Sequence, residues 1–155
     1  MNREQFSQGL LMLLVSVGIW AAHGGDAHNV AVPVTSGAYA VTFHVLAPST
    51  VPDGATIVCN AKVTPHMSIM DRLTPGPAPA ESAHGTAKVV GSSANCTVQL
   101  PFAFSVSDPR KGAALSYRID AFTSAGPAFL RTQQGIGVKV PKAGETANLN
   151  LNVSL

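Results

Sequence analysis

Regular alternation of apolar and polar residues is the feature that most restricts how this 155-residue chain can fold. It is clearest at the C-terminus, where residues 147–155 carry Ala, Leu or Val at every second position and Asn or Ser between them. Successive side chains of a β-strand point to opposite faces, so a strand with this pattern has one buried and one solvated face. We therefore expect β-strands to make up most of the fold.

The same period of two recurs along the chain. Alternating segments occur at residues 38–46, 57–63, 86–90, 96–106, 115–121 and 136–140, with a short candidate edge strand at residues 30–34. Turn residues separate several of them, as in Asp53-Gly54 and at residues 107–112. Antiparallel sheets with one solvated face produce this pattern. The predicted fold is all-β: an antiparallel two-sheet β-sandwich, immunoglobulin-like, with about seven or eight strands.

The N-terminal residues have the composition of an export signal. Arg3 precedes an apolar stretch at residues 9–22, and several small residues follow it. About 14 apolar residues are few for a membrane span, which needs about 20, but they suit a secretory signal. An uncleaved membrane anchor is the alternative. We expect the segment to be removed, which leaves a periplasmic or secreted bacterial protein with no stable membrane span.

Small residues at two positions define two candidate cleavage sites. Cleavage after Ala27 would make His28 the new N-terminus, and cleavage after Gly24 is the alternative. We place the signal segment at residues 1–27 and a single β-sandwich domain at residues 28–155.

One long segment departs from the alternation. Residues 64–85 contain four prolines and the run PGPAPAESAHG, which is typical of an unpaired surface loop. Its apolar residues form either a binding lip or a small cluster packed beneath the loop. The candidate interaction residues are Met67, Ile69, Met70 and Leu73.

The two cysteines, Cys59 and Cys96, both occupy the apolar phase of alternating segments. In an exported chain, two cysteines that face inward on two strands are expected to form one disulfide bond. Closing a loop of this length would stabilise the fold by about 4 kcal/mol in the chain-entropy description. The alternative, two free buried thiols, requires a reducing compartment.

Neither a catalytic motif nor a nucleic-acid footprint occurs in the sequence. The chain lacks a G-x-S-x-G elbow, a phosphate-binding loop, an H-E-x-x-H motif and paired-cysteine zinc spacing. The formal net charge is only +2, and no basic cluster is larger than the pair Arg110 and Lys111. We predict a non-enzymatic protein with no cofactor and no nucleic-acid partner.

The few acidic residues have structural explanations. Asp53 and Asp108 lie in turns, where an Asp side chain caps backbone amides. Asp120 lies two residues from Arg118 on the outward phase of one segment, which predicts an exposed ion pair.

Copper binding is an alternative function. If cleavage follows Ala27, the α-amine and the imidazole of His28 together can chelate Cu(II). Thioether sulfur from methionine favours Cu(I). The other candidate ligands are His66, Met67 and Met70, with His44 and His84 as further candidate imidazoles.

Several short segments resemble the YbaY/YscW-type (type III secretion pilotin-like) family of small bacterial envelope lipoproteins. They are residues 51–58 (VPDGATIV), 100–104 (LPFAF), 116–121 (SYRIDA) and the closing alternation up to Leu155. The resemblance extends over about 105 residues and implies a β-sandwich that binds another envelope component or assists its assembly. The chain departs from the family pattern because it has a cysteine pair and lacks the lipidated cysteine.

These observations predict an exported, non-enzymatic binding or assembly module of the bacterial cell envelope. Its partner would be another envelope protein or a surface component, bound at a sheet edge or by the loop at residues 64–85. A copper-binding periplasmic protein is one alternative. The other is a pilus or surface-structure subunit, which would donate its alternating C-terminal strand to a neighbour.

Overall fold

The computed structural model describes residues 34–67, 81–106 and 108–155. The predicted signal segment at residues 1–27 lies outside the described residues, as do His28 and most of the predicted loop. The chain divides into two units, Met1–Val30 and Ala31–Leu155, and every described residue belongs to the second. Within the described ranges, no helix is long and apolar enough to cross a membrane.

Within these ranges, seven strands form two sheets. The strands are β1 (Val34–Leu46), β2 (Thr56–Pro65), β3 (Glu81–Lys88), β4 (Ser93–Ser105), β5 (Ala113–Thr123), β6 (Gly126–Val138) and β7 (Thr146–Ser154). One sheet has three strands in the order β4-β1-β7, and the other has four in the order β3-β2-β5-β6. A short 3₁₀ turn, Pro109–Lys111, precedes β5. The predicted two-sheet β-sandwich is confirmed.

The inward-facing residues of both sheets supply the core. Along β4 every second residue from Ala94 to Phe104 is buried, and the residues between them are exposed. Tyr39 and Phe43, on β1, are also fully buried. Burying a large apolar side chain stabilises a fold by about 1.5–3 kcal/mol relative to leaving it exposed. The apolar side chains at the alternating positions therefore hold the two sheets together.

A disulfide joins Cys59 in β2 to Cys96 in β4, as predicted, and so links the two sheets. The two Cα atoms are 6.3 Å apart, at a sequence separation of 37 residues. Both side chains are fully buried. Disulfides persist in oxidising compartments, so this bond is typical of a protein outside the cytosol.

β1 and β7 run parallel, which the alternating pattern does not predict. β1 pairs antiparallel with β4 on one side and parallel with β7 on the other. In an immunoglobulin constant domain the first strand lies beside the second, whereas here it is the centre of the three-stranded sheet. Alternation assigns the two faces of a strand but carries no information about strand direction, so this strand order is a finding of the structure.

The structure corrects both boundaries of the predicted loop at residues 64–85. β2 continues to Pro65, and β3 already begins at Glu81. In β3 the residues opposite the buried Ile57, Cys59 and Ala61 of β2 are small: they are Ala87, Gly85 and Ala83. Small inward residues give little hydrophobic contrast with the polar residues between them, so the alternation of this strand is weak in the sequence.

Gly85 lies where β3 approaches a strand of the other sheet. It pairs with Cys59, and a Cβ atom at Gly85 would overlap the carbonyl oxygen of Thr97 in β4. Thr97 directly follows Cys96, so the disulfide and this close approach occupy the same corner of the sandwich. A glycine is required here because two backbones come close together.

Replacing Gly85→Ala should therefore destabilise the protein. The overlap is with backbone that the disulfide holds in place, so we expect a loss of about 1–3 kcal/mol in the free energy of unfolding, as for other overpacked sites. Gly137→Ala is the matched control, because a Cβ atom there meets no heavy atom within 4 Å. Guanidinium denaturation of both disulfide-intact variants measures the difference, and equal stabilities would contradict the close approach.

Tyr39 links the two sheets by a hydrogen bond. Its hydroxyl donates to the carbonyl oxygen of Lys139, just after β6, at 3.0 Å. The ring is fully buried and packs 5.2 Å from the ring of Phe102. Burial disfavours the charged tyrosinate and raises the pKa of Tyr39 to about 12.

The stability of the fold should consequently fall at alkaline pH. The folded-state pKa of Tyr39 lies above the unfolded value, so its contribution is complete below pH 10 and is lost as the pH rises towards 12. We expect about 1–2 kcal/mol to be lost between about pH 9 and 11. Chemical denaturation across this range measures the loss, and Tyr39→Phe, which cannot ionise, should lose less. If the native protein and the Tyr39→Phe variant lose the same stability, the loss arises from the ionisation of other groups.

Candidate functional site

The structure divides the predicted site residues into three groups. Cys59 and Cys96 form the buried disulfide. His66 and Met67 directly follow β2. The other candidates, His28, Ile69, Met70 and Leu73, lie outside the described residues. The copper site and the interaction loop therefore stay predictions.

His66 and Met67 both make structural contacts. The Nδ1 atom of His66 lies 2.9 Å from the carbonyl oxygen of Lys111. A carbonyl only accepts, so Nδ1 carries the proton in this hydrogen bond. The backbone N–H of His66 donates to the carbonyl of Gly112 at 3.0 Å, and Met67 packs half-buried against the core. These contacts fasten the end of β2 to the turn before β5.

The other described histidines lie on opposite outer faces of the sandwich. His44 is on the three-stranded sheet, where its Nδ1 lies 2.8 Å from Oδ1 of Asn95. His84 is on the four-stranded sheet and pairs with Asn60, which is about 20 Å along β2 from His66. Within the described ranges, no group of three or more His, Cys, Asp or Glu side chains is placed to hold a metal ion.

Asp53 and Asp108 cap backbone amides, as predicted. An oxygen of Asp53 accepts from the N–H of Gly91 at 3.0 Å, and an oxygen of Asp108 accepts from the N–H of Arg110 at 3.1 Å. The side chain of Arg110 also donates to Asp108, and this hydrogen bond lowers the pKa of the Asp108 carboxyl. Both carboxylates are therefore used to hold turns.

A groove of about 370 Å³ crosses the outer face of the four-stranded sheet, and we call it the polar groove. It is lined by residues 60–62, 82–84, 116–118 and 132–134, which come from β2, β3, β5 and β6. Asn60 pairs with His84 on one side and with Arg118 on the other. Arg118 pairs in turn with Thr132. A row of polar side chains therefore spans all four strands.

The polar groove is cationic. Lys62 and Arg118 line it, and the described lining residues include no Asp or Glu. The polar side chains in the lining also include those of Asn60, Ser82, Ser116, Tyr117, Thr132, Gln133 and Gln134. Two cations among neutral donors and acceptors suit a ligand that carries carboxylate or phosphate groups together with hydroxyl or amide groups.

Asp120 holds the Arg118 side chain in place. The Nε of Arg118 donates to both carboxylate oxygens of Asp120 at 2.9 and 3.0 Å, and Nη2 donates to one of them at 2.9 Å. These hydrogen bonds raise the pKa of Arg118. The remaining guanidinium N–H groups are not used by Asp120, so they are available to a ligand.

The ion pair was predicted as an exposed pair, but only Arg118 is exposed. The side chain of Arg118 is 60% exposed, whereas that of Asp120 is only 11% exposed. Asp120 is flanked on the neighbouring strands by Val58 and Leu130. Apolar side chains on both sides shield the carboxylate from water, so the prediction of an exposed pair is wrong for Asp120.

Sequence reasoning missed the polar groove. Alternation placed Arg118 and Lys62 on the outward phase of their strands, as the structure has them. The groove exists because outward residues of four strands lie side by side, and their neighbours depend on the pairing register. No signal in a single strand contains that information.

Other hollows on the described surface are less suited to binding. One of about 300 Å³ lies beside His44, Asn95 and Asn152 on the three-stranded sheet and has no Lys, Arg, Asp or Glu in its lining. Another of about 440 Å³ includes Lys88, whose ammonium already donates to Gly54 and Thr56. The polar groove differs from both because two cations, Lys62 and Arg118, lie in its lining together with residues from every strand of a sheet.

No protein-family model, curated protein or solved structure matches this chain. Its class is therefore defined by its own architecture: a disulfide-linked two-sheet β-sandwich with a cationic polar groove on the four-stranded sheet. The resemblance to the envelope lipoprotein family stays a prediction.

Removing either partner of the Arg118–Asp120 pair should have unequal effects. Arg118→Ala leaves a buried carboxylate without its partner, which should lower the free energy of unfolding by about 1–3 kcal/mol at neutral pH. Asp120→Asn leaves an exposed guanidinium that water can solvate, so it should lower the free energy of unfolding by less than Arg118→Ala does. Urea denaturation of both variants measures the asymmetry. Equal losses would contradict the burial of Asp120.

Proposed function

We propose that this chain is an exported, non-enzymatic binding or assembly module of the bacterial cell envelope, acting in the periplasm or after secretion. The polar groove is the observation that carries the proposal. It is concave, it draws on all four strands of a sheet, and it collects one sign of charge. Concave surfaces with a few convergent polar groups are where proteins commonly bind ligands.

The proposed partner is another envelope protein or a surface component that presents carboxylate or phosphate groups. Lys62 supplies a mobile point charge, and Arg118 supplies a guanidinium that Asp120 already orders. An ordered side chain loses less entropy on binding than a free one does. The neutral amides and hydroxyls of the groove would then select among acidic partners by hydrogen bonding.

Two further observations support the proposed compartment. The apolar stretch at residues 9–22, with Arg3 before it, has the features of a secretory signal. The Cys59–Cys96 disulfide is typical of proteins that fold in an oxidising environment. The resemblance to small envelope lipoproteins agrees with both.

Site-specific photocrosslinking in cells that export the full chain tests the proposal. The probe is p-benzoylphenylalanine in place of Thr132, an exposed residue of the groove, and the control position is Gln99, an exposed residue on the outer face of β4. We expect a discrete adduct from the Thr132 position and none from the Gln99 position. Lys62→Glu should reduce the adduct by about tenfold because it reverses one of two charges.

Lys142→Glu is the matched charge control, since Lys142 is exposed and lies outside the groove. It should leave the adduct unchanged. The proposal fails if no adduct forms at the Thr132 position. It also fails if both probe positions give the same adducts, or if the two charge reversals act alike.

A further inference from the structure

Among the described residues, β7 is an edge strand with one side unpaired. Its other side pairs in parallel with β1. The N–H of Leu155 donates to Leu46, and the carbonyl of Glu145 accepts from Ala38, so odd-numbered residues direct their backbone groups towards β1. The direction of the backbone N–H and C=O groups alternates from one residue to the next along a strand. The backbone groups of the even-numbered residues therefore point towards the open edge. They are Thr146, Asn148, Asn150, Asn152 and Ser154.

This edge lacks the features that normally keep sheet edges apart. Natural edge strands carry charged residues, prolines or bulges that discourage pairing with another chain. β7 contains no charged residue and no proline, and its register with β1 is continuous. β6, one edge of the four-stranded sheet, contains Pro127 and Arg131, and its pairing with β5 has register shifts. β3, the other edge of that sheet, has a charged residue at each end, and β4, the other edge of the three-stranded sheet, contains Pro101. The β7 edge is therefore the one suited to pairing.

The inward side chains of β7 are incompletely covered. Leu149 and Leu151 are half-buried, whereas Val41 and Phe43, which pair with them on β1, are fully buried. β6, at the corresponding edge of the four-stranded sheet, contains no buried residue. A further strand beside β7 would remove more of this apolar surface from water.

The sequence of β7 is symmetric about its centre. Its nine residues read TANLNLNVS, so Asn150 stands in the middle with a leucine on each side and an asparagine beyond each leucine. The outer pairs are Ala147 with Val153 and Thr146 with Ser154, which are also alike in chemical type. Such a strand presents nearly the same pattern in both directions, as an isologous contact between two copies requires.

We infer that two copies of this chain form a dimer by antiparallel pairing of their β7 strands, with Asn150 opposite Asn150 of the second copy. Leucines then face leucines on the inner side, and asparagines face asparagines on the outer side. The even-numbered residues form hydrogen-bonded pairs, which supply about ten backbone hydrogen bonds. No like charges oppose each other, because β7 carries none.

This dimer does not rest on the proposed envelope function, because it uses a different surface. The two-fold axis of an antiparallel strand pair is perpendicular to the sheet. The two three-stranded sheets therefore become one continuous sheet, and both four-stranded sheets lie on the same side of it. β7 stays in its own sheet, so the pairing also differs from donation of the strand to a neighbour.

Register-specific cross-linking tests the dimer in the exported protein. Asn150→Cys places two thiols opposite each other, within reach of a methanethiosulfonate reagent that spans about 5 Å. In Asn148→Cys the two thiols are offset by about 13 Å along the strands and should not cross-link. A mixture of Asn148→Cys and Asn152→Cys should cross-link as a heterodimer. The native cysteines do not interfere because they form a buried disulfide.

Charge variants at the two-fold axis give an independent readout by sedimentation velocity. Asn150→Lys and Asn150→Glu each oppose two like charges, so each variant alone should dissociate at least about tenfold more readily than the native protein. An equimolar mixture of the two should recover the dimer, because opposite charges then meet. Asn150→Thr, which is uncharged and suits a strand, should behave like the native protein.

The expected result is a native dimer with this pattern of cross-links and charge effects. The inference is overturned if the native protein sediments as a monomer at every concentration, which would mean that another protein or another part of the chain covers the β7 edge. It is also overturned by a dimer that is insensitive to charge at position 150, or by equal cross-linking of the Asn150→Cys and Asn148→Cys variants.

Discussion

The Cys59–Cys96 disulfide and the close approach at Gly85 hold β2 and β3 against β4, and the other strands are arranged around that closed corner. At this corner the backbones of the two sheets come so close that a methyl group does not fit. At the opposite side, among the described residues, the hydrogen bond from Tyr39 to Lys139 links the sheets just beyond β6. Coverage of the sheets is low at this side: β6 contains no buried residue, and the inward leucines of β7 are half-buried.

The closed corner and the open edge leave two separate surfaces for function. The polar groove lies on the outer face of the four-stranded sheet, and the β7 edge belongs to the other sheet. In the inferred dimer both four-stranded sheets lie on one side of the joined sheet, so both grooves face the same direction. A partner with repeated acidic groups could then engage two grooves at once, which raises the effective concentration for the second contact. Binding of such a partner to the grooves and dimer formation at β7 would then stabilise each other, although the two surfaces share no residue.

How much of the fold can be predicted depends on the contrast between alternating residues. β7 alternates leucine with asparagine and was predicted almost to its boundaries, and Cys96 was placed on the buried phase of β4. The start of β3 was missed because Ala83 and Gly85 give no apolar signal. The first half of β6 was missed because Arg131 pairs with the buried Ile119, so a charged residue occupies the inward phase of an edge strand.

The candidate site was harder to predict because it depends on which strands are neighbours. Arg118 and Asp120 were paired correctly from their spacing on one face of β5. The burial of Asp120, however, depends on Leu130 from β6, and the polar groove depends on the order of four strands. Register and strand order arise from packing across the whole sheet, and no local pattern in the sequence specifies them.

The absence of charge on β7 is consistent with the inferred dimer. In a monomer it would leave an edge strand open to aggregation. An uncharged alternating edge strand can recruit further strands without limit. Isologous pairing avoids this, because it uses the open edge once and closes it. Registers that oppose even-numbered to odd-numbered residues would place Asn against Leu, and other shifts would leave backbone groups unpaired at one end. The register centred on Asn150 pairs every group that faces the edge, and a charged residue at that centre would stand against its own copy.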